Sequence, residues 1–180
     1  MKITSRHCAT YLHQHTLIIG ETGSGKTTRT VQLLEMFIKA GYASEIAILD
    51  LAPDEIMGVG GKMPIKPHIE TLYLSTQIAA PRLQGENDEH TWLLAQTNAR
   101  AIERQFKQLA EAKRKILFVN DATLYLQAGI FENFEKVLGQ VDTAIINAYK
   151  GERFGDSALT RREKKLTQNL IQRCDLILRH

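Results

Sequence analysis

Residues 16–28 read TLIIGETGSGKTT and constrain the fold more than any other part of the chain. The segment opens with a short apolar run of the kind found in buried strands. After Lys26, the apolar residues Val31, Leu34 and Ile38 recur at the spacing of one helix face. The sequence therefore predicts a strand that passes through a glycine-rich loop directly into an amphipathic helix.

The same alternation of short apolar runs and helical patterns continues to residue 180 and is typical of an α/β protein with a mostly parallel sheet. Most of the runs are continuously apolar, which indicates a sheet covered on both faces. We therefore expect a three-layer α/β/α sandwich of five or six strands in a single domain, residues 1–180. The predicted strands are 16–20, 45–51, 69–75, 115–121, 142–149 and 174–180. The predicted helices run from Lys26 to Gly41, from Asn87 or Asp88 to about Lys115, and from Thr160, where Thr160 and Glu163 have the spacing of a capping box.

The composition narrows the class of protein. Hydrophobic residues make up 43% of the chain and charged residues 24%, which is ordinary for a globular protein. A net charge of +3 is too weak to support nucleic-acid binding by itself. Cys8 and Cys174 form no metal or disulfide motif, and no apolar run approaches the roughly 20 residues of a membrane span. We expect a cytoplasmic protein without a signal peptide or membrane span.

The glycine-rich loop has the chemistry of a phosphate site. Gly20, Gly25, Lys26 and Thr27 match the pattern G-x-x-x-x-G-K-[ST]. Gly20, Gly23 and Gly25 are predicted to adopt positive φ so that backbone N–H groups point at phosphate oxygens, next to the positive end of the helix dipole. Lys26 would reach the β- and γ-phosphates, and the Thr27 hydroxyl would bind Mg²⁺. The predicted nucleotide-binding residues are Gly20, Glu21, Thr22, Gly23, Ser24, Gly25, Lys26, Thr27 and Thr28.

On these residues the chain resembles the P-loop NTPase superfamily. The string GETGSGKTT looks most like the loops of the FtsK–HerA group of motor ATPases and of related secretion ATPases. The resemblance implies ATP or GTP with Mg²⁺ as ligands, and a nucleoside triphosphatase activity. No N-K-x-D guanine-reading motif is found, and the base preference stays open.

Two acidic residues compete for the role of the second magnesium ligand. Asp121 follows the apolar run ILFV and Asn120, and resembles a Walker B aspartate. Asp50 follows EIAIL and resembles the acidic residue of many P-loop kinases. In the additional-strand division of these ATPases, Walker B lies on the third core strand and a polar sensor ends the fourth. Asn147 has the sensor position if 69–75 is an inserted strand, which favours Asp121 over Asp50.

Two further features bear on catalysis. Many ATPases of that division carry a glutamate directly after the Walker B aspartate, whereas Ala122 follows Asp121 here. Arg161 and Arg162 lie in the first turn of their predicted helix, where the dipole disfavours cations, so we expect them to meet an anion such as the γ-phosphate. Such arginines can act in their own subunit or across a subunit boundary. The alternative is an ordinary solvated basic patch.

Three functions are therefore open. The first is an ATPase that hydrolyses the β–γ bond to drive a conformational change or a partner interaction, with Lys26, Asp121, Asn147, Arg161 and Arg162 as catalytic residues. The second is a P-loop kinase, which the missing glutamate and the glycine-rich loop 51–67 favour. The third is a nucleotide-gated binding module without useful turnover. The expected partner is a nucleoside triphosphate; a second substrate, a protein partner and assembly into a homo-oligomer are left open.

Overall fold

Six parallel strands form the sheet of this protein. The computed structural model describes residues 8–56, 58–66 and 68–180. The strands are β1 (His15–Gly20), β2 (Ile46–Asp50), β3 (Leu72–Ser75), β4 (Ile116–Asn120), β5 (Thr143–Tyr149) and β6 (Leu176–Arg179). They are ordered β3-β2-β4-β5-β1-β6. All six predicted strands are present, and their bounds differ from the prediction by at most three residues.

Helices connect the strands. They are α1 (Lys26–Lys39), α2 (Pro81–Gln84), α3 (Asp88–Ala112), α4 (Thr123–Leu126), α5 (Phe131–Leu138) and α6 (Ala158–Arg173), with a 3₁₀ turn at Ala43–Glu45. Gly41 lies just beyond α1 with φ of 95°, which confirms the predicted stop. Asn87 caps α3 by accepting a hydrogen bond from the His90 N–H at 2.8 Å.

Alternate strand residues pack on opposite faces of the sheet. Ile48 and Phe118 belong to one apolar cluster with Phe37 of α1. Their neighbours Leu49 and Val119 belong to the other cluster, which includes residues of α3, α5 and α6. Because successive side chains of a strand point to opposite faces, helices cover both sides. The architecture is the predicted three-layer α/β/α sandwich.

The strand order fixes which loops meet. β5 lies between β1 and β4, with Ile18 paired to Asn147 and Ile145 paired to Phe118. β3 is an edge strand that pairs with β2 alone among the strands, so residues 72–75 are an addition to the sheet and not part of its centre. Since all strands are parallel, the loop after β1 and the ends of β4 and β5 share one edge, where ligands of such sheets bind.

Two local predictions about helix ends were wrong. α6 begins at Ala158 and not at Thr160, because the Ser157 side chain caps it by accepting a hydrogen bond from the Thr160 N–H at 3.1 Å. Glu163 closes no capping box, since its carboxylate is buried and bound to Arg82. α3 ends at Ala112, where Lys113 takes a left-handed conformation, so the basic residues that follow lie outside the helix.

The helices also bear on membrane association. Within the ranges that the structure describes, no helix has both the length and the apolar content needed to cross a bilayer.

Candidate nucleotide site

The glycine-rich loop turns between β1 and α1 as the sequence predicts. Gly23 and Gly25 have φ of 76° and 92°, which favour glycine. α1 begins at Lys26, directly after Gly25, and in the described part of the chain no side chain caps its first turn. Its first N–H groups and the positive end of its dipole therefore face the space beyond the loop. This is the arrangement that binds anions at helix N-termini.

Gly20 is a glycine for a different reason from the predicted one. It does not have positive φ. A Cβ at this position would instead lie 2.2 Å from the His180 carbonyl oxygen and 2.7 Å from Ser24 Oγ. Steric crowding at the end of β1, where β6 runs alongside, excludes a side chain.

Lys26 projects into the space over the loop. Its Nζ donates a hydrogen bond to the Glu21 carbonyl oxygen. Burial lowers the pKa of Lys26, while the nearby charges of Asp121 and Glu21 oppose that change. The Lys26 ammonium group is therefore close enough to Asp121, the residue after β4, to be affected by its charge.

Some of the other loop residues line a cleft at the edge of the sheet, and others do not. Thr22, Gly23 and Thr27 line the cleft together with Lys26. Thr28 is exposed on α1. The Glu21 carboxylate accepts a hydrogen bond from the Glu152 N–H at 2.6 Å, which ties the loop to the segment after β5.

Thr27 contacts Asn120 and not Asp121. Its hydroxyl donates to Asn120 Oδ1 at 3.2 Å. The same oxygen accepts a hydrogen bond from Asn147 Nδ2 at 2.9 Å. Asn120 is the last residue of β4, so the side chain that meets the predicted magnesium ligand Thr27 is an amide.

Asp50 lies behind this amide, and its carboxylate is fully buried. Asp50 Oδ1 accepts a hydrogen bond from Asn120 Nδ2 at 2.8 Å. Asp50 Oδ2 accepts from the Met63 N–H and from the Tyr73 hydroxyl, both at 2.7 Å. Burial, and to a smaller extent the hydrogen bond to the Asp50 carboxylate, raises the pKa of Tyr73 well above its usual value. Asp50 does not line the cleft, and among the described residues a chain of hydrogen bonds through Asn120 connects it to Thr27.

Asp121 directly follows Asn120 and turns into the cleft. Its φ is 57°, a left-handed conformation that a non-glycine residue adopts at a cost. Asn147 holds this backbone, because its Oδ1 accepts from the Asp121 N–H at 2.8 Å. Burial raises the pKa of the Asp121 carboxyl, whereas the Thr123 hydroxyl, Lys26 and Arg82 act in the opposite direction. Backbone strain of this kind is concentrated at functional sites.

Asn147 connects these residues to α1. Its Nδ2 donates to Thr30 Oγ1 at 2.9 Å as well as to Asn120. Only 2% of the residue is exposed. Asn147, the predicted sensor residue, therefore contacts both Asn120 and Asp121.

Arg82 is a cation of the cleft that sequence reasoning missed. It lies on α2, and its guanidinium carbon is 4.0 Å from the centre of the Phe154 ring. Its two terminal nitrogens contact the two oxygens of Glu163, at 3.1 and 2.7 Å. Gln127 Nε2 donates to the same carboxylate at 2.8 Å. Burial raises the pKa of Glu163, and Arg82 opposes that rise.

Arg161 and Arg162, the predicted phosphate-binding arginines, do not line the cleft. Arg161 is largely exposed and pairs with Asp156. Arg162 donates from Nη2 to the Gly129 carbonyl oxygen at 2.7 Å. A role for Arg161 across a subunit boundary stays a prediction.

A cleft of about 760 Å³, counting the part open to solvent, joins these groups at the carboxyl edge of the sheet. One wall carries the loop residues with Asn120, Asp121 and Asn147. The opposite wall comes from the glycine-rich segment after β2, from α2 and from the segment after β5. Its members are Ala52, Pro53, Val59, Gly60, Gly61, Ala80, Pro81, Arg82, Leu83 and Phe154.

The side chains beside the loop suit a magnesium ion. Mg²⁺ prefers oxygen ligands and usually keeps few protein ligands beside water and phosphate oxygens. Thr27 Oγ1 offers a hydroxyl, Asn120 Oδ1 lies 3.2 Å from it, and the Asp121 carboxylate shares the same cleft. Over the described ranges, no group of three or more histidine, cysteine, aspartate or glutamate side chains forms a metal cluster.

Comparisons with known proteins add no family assignment. No model of a known protein family matches the chain, and no curated protein is significantly similar to it. The α/β fold is compatible with a P-loop NTPase.

Proposed function

We propose that this protein binds a nucleoside triphosphate with Mg²⁺ on residues 20–28 and hydrolyses its β–γ bond. The observation that carries the proposal is the uncapped start of α1 directly after Gly25, where Gly23, Lys26 and Thr27 line the same cleft as Asp121. Backbone N–H groups at a helix start and one ammonium group complement a chain of phosphates. Bound Mg²⁺, held through Thr27, would neutralise charge on the β- and γ-phosphate oxygens.

The strand order supports a place among the additional-strand ATPases. β5 separates the strand of the phosphate loop from the strand that leads to Asp121, and Asn147 lies near the end of β5. Asn120 contacts Thr27, so Asn120 has the place of the Walker B residue and Asp121 has the place directly after it. Asp121 then has the position in which that division places the carboxylate that orients water. With this alignment Asp121 takes the role of the water-orienting glutamate, so no glutamate is needed at position 122.

The hydrolytic step uses Asp121 as the proton acceptor. A water molecule placed between Asp121 and the γ-phosphorus attacks in line with the β–γ bond. Its proton passes to the Asp121 carboxylate, the γ-phosphoryl–oxygen bond breaks, and the bridging oxygen leaves with the nucleoside diphosphate. Burial already raises the pKa of Asp121, which suits a group that accepts a proton during turnover. Asn147 holds the carboxylate in place through the Asp121 N–H.

Arg82 supplies positive charge from the opposite wall. The bidentate contact with Glu163 and the stacking on Phe154 fix the plane of its guanidinium. A fixed cation close to Asp121 is suited to the charge that develops on the transferring phosphoryl group. We propose this role for Arg82, because it lies inside the cleft whereas Arg161 and Arg162 do not.

Transfer of the γ-phosphoryl group to a second substrate is the alternative function. The wall opposite the loop is broad and largely apolar, and the cleft is also lined by the buried residue Gln127, whose Oε1 has no hydrogen-bond partner among the described residues. Such a wall offers more contact surface than one attacking water needs. Incubation with γ-labelled ATP and candidate hydroxyl acceptors distinguishes the two, since hydrolysis releases inorganic phosphate and transfer yields a phosphate ester.

Lys26→Ala tests nucleotide binding. We expect the affinity for ATP to fall about ten- to a hundredfold, because a charge-assisted hydrogen bond contributes about 1.5–3 kcal/mol. Lys39→Ala on the same helix is the matched control, since Lys39 is exposed and pairs only weakly with Glu35 at 3.8 Å. Equal affinity of Lys26→Ala and the unaltered protein, measured by titration calorimetry, would show that the loop is not the binding site.

A further inference from the structure

The side chain that meets Thr27 is neutral, and it is hydrogen-bonded in turn to the carboxylate of Asp50. Thr27 donates to Asn120 Oδ1 at 3.2 Å, and Asn120 Nδ2 donates to Asp50 Oδ1 at 2.8 Å. In a magnesium site built on this loop, the negative charge of Asp50 therefore lies one amide group away from Thr27.

Asp50 and Asn147 together set which way the Asn120 amide points, because Asn147 Nδ2 donates to the same Asn120 oxygen that accepts from Thr27. An ionised carboxylate only accepts hydrogen bonds, so Asn120 must turn its NH₂ group toward Asp50 and its carbonyl oxygen toward Thr27. That oxygen then accepts the Thr27 hydroxyl hydrogen. The lone pairs of Thr27 Oγ1 are left for another partner, as a metal ligand requires.

Besides Asn120, two parts of the chain hold the orientation of Asp50. The Met63 N–H comes from the segment between β2 and β3, and the Tyr73 hydroxyl comes from β3. Lys62 lies beside the same residue and donates to the Asp50 carbonyl oxygen at 3.1 Å and to the Thr76 carbonyl oxygen at 3.0 Å. Its charge offsets part of the field of Asp50. The main effect of Asp50 is therefore to orient Asn120, with its charge as a second contribution.

We propose that Asp50 is the positioning carboxylate of the Mg²⁺–nucleotide site and acts on the metal through Asn120 without touching it. The proposal rests on the proposed function, since it requires that Mg²⁺ and a nucleotide bind at Thr27. It differs from both sequence-based alternatives, in which Asp50 or Asp121 contacts the metal. It also accounts for a fully buried carboxylate in a place where no substrate reaches it.

The test separates magnesium affinity from nucleotide affinity. The binding of a fluorescent ATP analogue is titrated without Mg²⁺ and over a series of Mg²⁺ concentrations, which gives the factor by which the ion tightens nucleotide binding. In Asp50→Asn, either orientation of the Asn120 amide satisfies the residue at position 50, so the orientation is held by Asn147 alone and is weakened. We expect the magnesium factor to fall about tenfold or more, the size of effect that outer hydrogen-bond partners have at metal sites. Affinity without Mg²⁺ should stay nearly unchanged.

Two further variants keep the test decisive if Asp50→Asn is less stable. The exchange variant Asp50→Asn/Asn120→Asp restores the hydrogen bond in the opposite direction and moves the carboxylate next to Thr27, so the magnesium factor should recover or exceed that of the unaltered protein. Tyr73→Phe removes one of the two donors to Asp50 Oδ2 but keeps the Asp50–Asn120 hydrogen bond, so it should lower the magnesium factor by much less than Asp50→Asn does. Melting curves without ligand check that each variant is folded.

The outcomes are distinct. If the unaltered protein binds no nucleotide, the proposed function fails. If it binds nucleotide but Asp50→Asn keeps the full magnesium factor, or the exchange variant does not recover it, the positioning role of Asp50 is refuted while nucleotide binding stands.

Discussion

Replacement of Glu163 by alanine tests the buried ion pair that fixes Arg82 in the cleft. The Glu163 side chain is 2% exposed and that of Arg82 13% exposed, and the closest contact between Arg82 Nη2 and Glu163 Oε2 is 2.7 Å. Glu163→Ala leaves the guanidinium group and the Gln127 amide without their common acceptor. Removal of one partner of a buried ion pair costs about 3–5 kcal/mol.

This cost predicts a large change in melting temperature. For a chain of this size, each kcal/mol lowers the melting temperature by roughly 2–4 °C, so we expect a decrease of about 6–20 °C. Glu163→Gln keeps an acceptor for Gln127 and should cause a smaller decrease. Thermal unfolding followed by circular dichroism measures both.

The Asp156–Arg161 pair provides the matched control. Its side chains are 74% and 63% exposed, and they belong to the same region of the chain. Exposed ion pairs contribute about 0–1 kcal/mol, so Asp156→Ala should lower the melting temperature by less than about 4 °C. Equal decreases for Glu163→Ala and Asp156→Ala would refute the argument that burial makes the Arg82–Glu163 pair important.

Three other results are expected. Asp121→Asn should lower the rate of phosphate release about a hundredfold or more while ATP binding is kept, because the proton acceptor is lost; unchanged release would contradict its role. Burial raises the pKa of Asp121 in the folded protein. The stability that protonated Asp121 contributes is therefore present below about pH 4 and is lost as the pH rises through the folded-state pKa. The melting temperature of Asp121→Asn relative to that of the unaltered protein should thus increase from about pH 4 to pH 8. A constant difference in melting temperature would show that the buried charge has no cost. The double variant Arg82→Ala/Glu163→Gln, in which the second change avoids an unpaired buried carboxylate, should reduce phosphate release about a thousandfold. Arg161→Ala should leave phosphate release nearly unchanged. A large loss in Arg161→Ala and a small loss in the double variant would instead favour Arg161 as the arginine that acts on the γ-phosphate.

The fold was predictable because its signals are local. Six apolar runs bounded by turn residues gave six strands, and the helical spacing after Lys26 gave α1. The helices α2, α4 and α5 were missed, since segments of four to eight residues are too short to show a clear helical period. Ser157 was passed over as the α6 cap because Thr160 and Glu163 offered a better motif, and the tertiary contact of Glu163 with Arg82 decided otherwise.

The candidate site was predictable only in part. The phosphate loop is one continuous motif, and Asn147 was placed from the order of the strands. The contact of Thr27 with Asn120 depends on how β4 and β1 align through β5, which the sequence does not reveal. The polar Asn120 after four apolar residues was a signal, but the neighbouring Asp121 resembled a known motif more closely. Arg82 gave no signal, because its place in the cleft depends on the path of the chain after β3.

The most direct test of the central claim is an amide NMR titration of the ¹⁵N-labelled protein with ATP and Mg²⁺. Phosphate binding by the loop and the start of α1 predicts saturable shifts that are largest for the backbone amides of residues 23–28. Absence of saturable shifts, or shifts confined to another part of the molecule, would contradict it.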